Sequence, residues 1–183
     1  MLVEARFKFY GMLENLKTIS KWVVSPAKSN EVEQIEGEVS GFLGRKNFKF
    51  TTQCRSAIYL AVKHVIDKSH YEIIVPAYTI YDVLNMIIAA GGTPVLVDVS
   101  ETSGNIDINS FEAAITKRTA AVLVPHLHGI PADAASIRKL CDAHKILFIE
   151  DVAQANGSMF AGKTIGTFGD ISVYSFGRAK NIN

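Results

Sequence analysis

Four short apolar runs recur at similar intervals along this chain: "EIIVPA" (72–77), "TPVLVDV" (93–99), "AAVLVPH" (120–126) and "KILFIED" (145–151). Each is rich in β-branched residues and nearly continuous in its apolar character, without strict alternation. Strands of that kind are covered on both faces, as in parallel sheets. Longer helical patterns lie between and around them, over 56–68, 78–90, 109–116 and 132–144. Asp133 and Ser136 supply a start signal for the last of these, and Gly91–Gly92 a stop signal for the second. Strand–helix–strand alternation at this spacing predicts an α/β fold with a parallel sheet and right-handed crossovers. A further strand is expected at 170–174, "DISVY". Upstream, helices are expected near 4–20 and 30–43, joined through the loop "VVSPAKSN", with no chemistry assigned to them.

The 183 residues, 48% hydrophobic and 20% charged, suit one globular domain with a real core. Nineteen basic residues against 18 acidic ones leave a formal charge of +1 and no polybasic stripe, which argues against nucleic acid and membrane surfaces as partners. Cys54 and Cys141 show neither a pairing pattern nor metal spacing, as in a reduced cytosolic setting. The first 21 residues carry charges throughout and lack the pattern of a secretion signal, and runs such as "VLNMIIAA" are too short to span a bilayer. A soluble cytoplasmic protein is expected.

Parallel α/β sheets bind ligands at the carboxyl ends of their strands, and the distinctive polar residues collect there: "VPAYT", "VDVSETSGNID", "VPHLHG" and "IEDVAQANG". Asp151 closes an apolar strand, either to cap the next turn or to hold a positive group, an attraction that low dielectric strengthens. Glu150 is expected to face solvent or a neighbouring basic residue. Lys180 is a surface lysine unless its surroundings depress its pKa enough to make it a nucleophile, and Ser175 could simply satisfy a backbone group at a strand end. His126 and His128, two apart in "HLHG", would point the same way on an extended segment, but no third metal ligand accompanies them and packing or substrate contact is preferred. His64, His70 and His144 read as solvated. "GKTIGTFGD" does not match the nucleotide P-loop, and no GxGxxG follows any strand.

Taken in order, "IIVPAYT", the stretch from "GGTPVLVDV" through "ILFIEDVAQANGS", "GTFGDISVYSF" and Lys180 resemble the DegT/StrS family of pyridoxal-phosphate-dependent sugar aminotransferases, from about residue 31 to the last. The resemblance implies a fold-type I aminotransferase large domain, a mostly parallel sheet flanked by helices. It implies a partial cofactor-binding domain over 31–183, preceded by the 1–30 N-terminal helical segment read from the residue pattern. It also implies roles: Asp151 pairing with the protonated pyridine nitrogen, Gln154 near the ring hydroxyl, Ser175 binding the phosphate, and Lys180 forming the Schiff base and shuttling the proton. The reaction implied is amino transfer from an amino acid, glutamate by preference, to a nucleotide-linked keto-sugar in amino-sugar and polysaccharide biosynthesis, by a homodimer.

Departures from the family pattern bear on the site. Cys54–Arg55 stands where Gly-Thr is common, at the start of a helix facing the phosphate; helix amides, Ser56 and the Arg55 cation also suit an anion, while a simple helix start near Ser56 is the competing reading. The stacking aromatic falls near Ile80, leaving Tyr81 or Tyr78 as replacements, and Asn156 stands where histidine is frequent. Family enzymes continue for about as many residues again, so the C-terminal part of the domain is expected to be missing here. A truncated, non-catalytic remnant acting as a binding or interaction protein is the alternative, and a nucleotide-binding α/β domain a third.

Overall fold

The computed structural model describes residues 31–177. The expected helix near 4–20, the whole 1–30 segment, and Lys180 lie outside the described residues. The chain divides into two units at Phe50/Thr51. In the first, α1 (Glu31–Leu43) opens with Glu31 and Glu33, whose charges suit the positive end of the helix dipole. Buried Glu36 accepts from Lys49 Nζ at 2.6 Å and from the Phe50 amide at 2.8 Å, contacts that hold its carboxyl below the usual carboxylate range. Gly44, at φ +64°, takes the left-handed conformation that ends the helix.

The second unit contains α2 (Cys54–Val65), β1 (Glu72–Pro76), α3 (Tyr81–Ala89), β2 (Thr93–Val97), α4 (Ile108–Ala113), β3 (Thr119–Pro125), α5 (Ala134–His144), β4 (Leu147–Asp151), β5 (Met159–Phe160), β6 (Lys163–Thr164) and β7 (Ile171–Val173). Five strands form one sheet in the order β2-β1-β3-β4-β7, every pair parallel. Strands β5 and β6 make a separate antiparallel hairpin ahead of β7. Within the described residues the predicted strands and helices are present, most with shifted or trimmed ends. Every residue of β1 and β3 is buried, as their unbroken apolar sequences require, whereas edge strand β2 leaves Thr93 and Leu96 exposed.

On one face of the sheet, Ile73, Val75, Ala121, Leu123, Ile149 and Val173 pack with Ile58, Ala61 and Val62 of α2 and Val83 and Ile87 of α3. The intervening residues, including Ile74, Val122, Val124 and Phe148, are fully buried on the opposite face. Burying each such aliphatic or aromatic side chain contributes roughly 1.5–3 kcal/mol. Asp133 caps α5 by accepting from the Ser136 amide at 3.0 Å, and Gly91 (φ +93°) follows the end of α3, both as the sequence signals indicate.

The condition for a histidine pair fails, and the expectation for Glu150 holds in only one of its two forms. The His126–His128 segment is not extended: β3 ends at Pro125, and a tight turn over Leu127–Gly129 follows, with His128 at φ 55°. His126 is therefore fully buried while His128 is exposed, and the two imidazoles do not point together. Glu150 does not face solvent; fully buried, it meets the second expectation, a neighbouring basic residue, in His126. A central parallel strand has no solvent face, so the residue preceding an inward Asp151 must also be enclosed.

Candidate active site

The carboxyl edge of the sheet is set by register. Pro125 lies beside Asp151, and Asp151 beside Val173, so β3, β4 and β7 end level with one another. Ile149 and Val173 face α2 and α3, and the two-residue period of a strand carries Asp151 onto that same face. Asp151 is 6% exposed, and its Oδ1 accepts from the Ala153 amide at 3.0 Å. Ser175, two residues past β7, is also buried; its carbonyl accepts from Asn156 Nδ2 at 2.9 Å, and its hydroxyl from the Gly177 amide at 3.5 Å.

Helix α2 aims its N-terminus at this edge. Near its other end, Val62 and Ile66 lie against Gly92 and Gly91, which lead into the start of β2. At its beginning, Arg55 Nη1 meets Asp82 Oδ2 of α3 at 3.1 Å, and α3 starts just beyond the carboxyl end of β1. The structure thus sets Arg55 against a carboxylate of the chain itself, so part of its charge is offset. The N-cap residue Gln53 makes no side-chain capping bond, and the Ser56 amide donates to its carbonyl at 3.0 Å. Ser56, half-buried in that first turn, has its hydroxyl 3.4 Å from Thr52 Oγ1.

The remaining predicted residues are placed less uniformly. Gln154 Oε1 accepts from the His128 amide at 3.0 Å, tying the loop after β4 to the loop after β3. Tyr81 is the first residue of α3 and 73% exposed, while Tyr78, also exposed, lies beside His128. Two buried polar atoms near the edge have no hydrogen-bond partner among the described residues: Thr79 Oγ1 in the loop after β1 and Asn156 Oδ1 in the loop after β4.

Behind Asp151, on the opposite face, lies a network that the sequence reading missed. The Glu150 carboxylate accepts from the amides of Gly166 (2.9 Å), Phe168 (2.9 Å) and Gly169 (2.5 Å), and from His126 Nε2 at 3.2 Å. His126 Nδ1 accepts in turn from the Ala132 amide at 3.0 Å, which fixes the ring proton on Nε2. Burial pushes the Glu150 carboxyl up, but the His126 and backbone hydrogen bonds outweigh it and hold it below the ordinary value. The glycine-rich "GKTIGTFGD" is therefore an anion cradle after all, and its anion is an internal side chain. The readable signals were the double burial of a parallel strand and the two glycines in the turn before β7.

Solved structures share this architecture. Helicobacter pylori PseC, an aminotransferase involved in the biosynthesis of pseudoaminic acid, superposes with a TM-score of 0.85 at 27% identity, covering 98% of this chain and 49% of that one. The Escherichia coli GDP-4-keto-6-deoxy-D-mannose-3-dehydratase, solved with bound hydrated pyridoxal phosphate, gives 0.84 at 26% identity, covering 96% and 47%. The fold is thus that of the aminotransferase large domain. Among proteins compared by sequence, the UDP-N-acetyl-3-dehydro-alpha-D-glucosamine 3-aminotransferase of Acidithiobacillus ferrooxidans is 37% identical over 99% of this chain and 50% of its own length. The chain belongs to the DegT/DnrJ/EryC1/StrS aminotransferase family, whose pattern matches residues 14–183. It spans about half the length of the relatives it matches.

The side chains at the edge fit the cofactor of such enzymes. A buried carboxylate at a strand end suits a protonated ring nitrogen, and a helix start without a side-chain cap, with neighbouring hydroxyls, suits a phosphate. Among the described residues, the Thr79 hydroxyl and the Asn156 side-chain carbonyl have no hydrogen-bond partner at this edge.

Proposed function

We propose that this chain forms the cofactor-binding part of a pyridoxal-phosphate-dependent aminotransferase. It acts on a nucleotide-linked keto-sugar with an amino acid, glutamate by preference, as donor, in amino-sugar biosynthesis. Cytoplasmic location and a homodimeric assembly belong to the same reading. The observation that carries it is the buried Asp151 carboxylate beside Val173, two residues before Ser175, in a chain that matches the family through Lys180.

Pyridoxal phosphate, when bound, supplies an electron sink conjugated to the amino-bearing carbon. Asp151 pairs with the proton on the ring nitrogen, and its burial strengthens that attraction. Ser175, Ser56 and the first-turn amides of α2 hold the phosphate, with Arg55 at the rim, where Asp82 steadies it. Gln154 would contact the ring hydroxyl, and Tyr81, exposed at the start of α3, would cover the ring. Lys180 Nζ would be the amine that holds the cofactor aldehyde and the base that would move a proton at the substrate carbon.

The test is chemical. The purified protein is incubated with pyridoxal phosphate, reduced with borohydride, digested and mapped by mass spectrometry. A pyridoxyl mark on Lys180 is expected, together with amino transfer from glutamate to a nucleotide keto-sugar. A folded protein left unmarked, or marked elsewhere, overturns the reading.

A further inference from the structure

The strand order β2-β1-β3-β4-β7 reverses its winding between β1 and β3. The chain leaves β1 towards one edge of the sheet to build β2, then returns past β1 to build β3, β4 and β7 on the other side. Loops that depart from such a switch point in opposite directions leave a crevice between them, where ligands of open α/β sheets bind. Tyr78 comes from the loop after β1, and His128 from the loop after β3. Across this point their rings lie 6.1 Å apart, tilted by 36°, with the Tyr78 hydroxyl 3.3 Å from His128 Nε2.

The loop holding His128 is built rather than slack. Its φ of 55° and ψ of 21° are left-handed, a conformation costing a non-glycine residue about 1–2 kcal/mol. Surrounding bonds sustain it. The His128 amide donates to Gln154 Oε1 at 3.0 Å, buried Asn105 donates to the Ile130 carbonyl at 3.1 Å, and Ser158 Oγ donates to the Gly129 carbonyl at 3.2 Å. The turn buries Leu127 and leaves the His128 imidazole exposed against a half-exposed Tyr78. Gly104 adds no side chain where a Cβ would lie 3.9 Å from the Tyr78 ring.

A phenol and an imidazole present flat faces together with hydrogen-bonding edges, and neither ring bonds a charged group among the described residues. That chemistry suits a neutral, hydroxylated ring, with C–H groups against the aromatic faces and hydroxyls at the edges. Phosphates and carboxylates call for cations or clustered amides instead. We propose that Tyr78 and His128 form the subsite that grips the sugar ring of the substrate and discriminates among its hydroxyls. The proposal rests on the aminotransferase reading, since Gln154 links His128 to the cofactor side of the edge.

Saturation-transfer NMR with UDP-N-acetylglucosamine and GDP-mannose as probes tests this without turnover. Sugar-ring protons are expected to receive saturation from the wild-type protein. Affinity should fall about tenfold in Tyr78→Ala, and by a similar factor in His128→Asn, which tolerates the left-handed turn. Retained affinity in both variants, or no sugar-ring signal from either probe with the wild type, overturns the subsite. Sugar binding lost in the variants while the wild type never takes a mark on Lys180 would support the subsite and overturn only the aminotransferase reading.

Discussion

His126 donates from Nε2 to Glu150 Oε1 across 3.2 Å, and neither side chain has any exposed surface. The pair lies on the reverse side of the strand end that carries Asp151. Three amides of the turn before β7 close around the same carboxylate. The position of that turn, and through it the start of the strand leading to Ser175, is thus fixed to β4 by one buried anion.

Glu150→Gln should make stability less dependent on pH. The folded pKa of Glu150 lies below its ordinary value of about 4.5, so its contribution is fully present above that value and is lost as pH falls through the lower folded pKa. Denaturation midpoints measured from neutral pH down through the carboxylate range should fall less steeply in the variant. The variant should also be less stable at neutral pH, because an amide cannot accept all four donors. Parallel curves for the two proteins would contradict the cradle.

Gly166→Ala should destabilise the protein by about 2–4 kcal/mol. Gly166 has φ +95°, and a Cβ there would overlap the Tyr174 hydroxyl and meet the ring carbon bearing it at 2.8 Å. Its carbonyl also accepts from Ser172 Oγ at 2.7 Å, so a shift of the turn disturbs β7. Thermal or urea unfolding gives the measurement, and an effect below 1 kcal/mol would show that the turn is not held as described.

Asp151→Asn should leave the pyridoxyl mark on Lys180 while reducing amino transfer about 100-fold or more, because a neutral amide no longer favours the protonated ring nitrogen. Asp151→Glu, which keeps the charge, should retain more activity than the amide. Equal rates for the two variants would remove Asp151 from the proposed role.

The two thiols should separate cleanly in labelling. Cys141 is fully buried, and burial pushes its pKa up to about 12, whereas Cys54 is half-buried at the start of α2. A thiol reagent at neutral pH should modify Cys54 in the native protein and reach Cys141 only after unfolding. Phosphate or pyridoxal phosphate should slow the Cys54 reaction if the α2 start binds the anion. Native labelling of Cys141 would contradict the packing of α5.

The amino-acid sequence by itself determined the alternation of strands and helices, the buried character of β1 and β3, the caps at Asp133 and Gly91, and the family, which rests on ordered residues from "VPAYT" to Lys180. These features are local or follow from order along the chain, where periodicity and turn chemistry act over a few residues. Only the tertiary structure decided the fate of Glu150, His126, Arg55 and His128. Glu150 finds its donors 16 to 24 positions away in sequence, and Arg55 finds Asp82 on another helix. Whether a polar side chain meets water or a partner depends on which loops the fold brings to it, and the cost of burying an unpartnered charge favours the arrangement in which Glu150 meets its four donors.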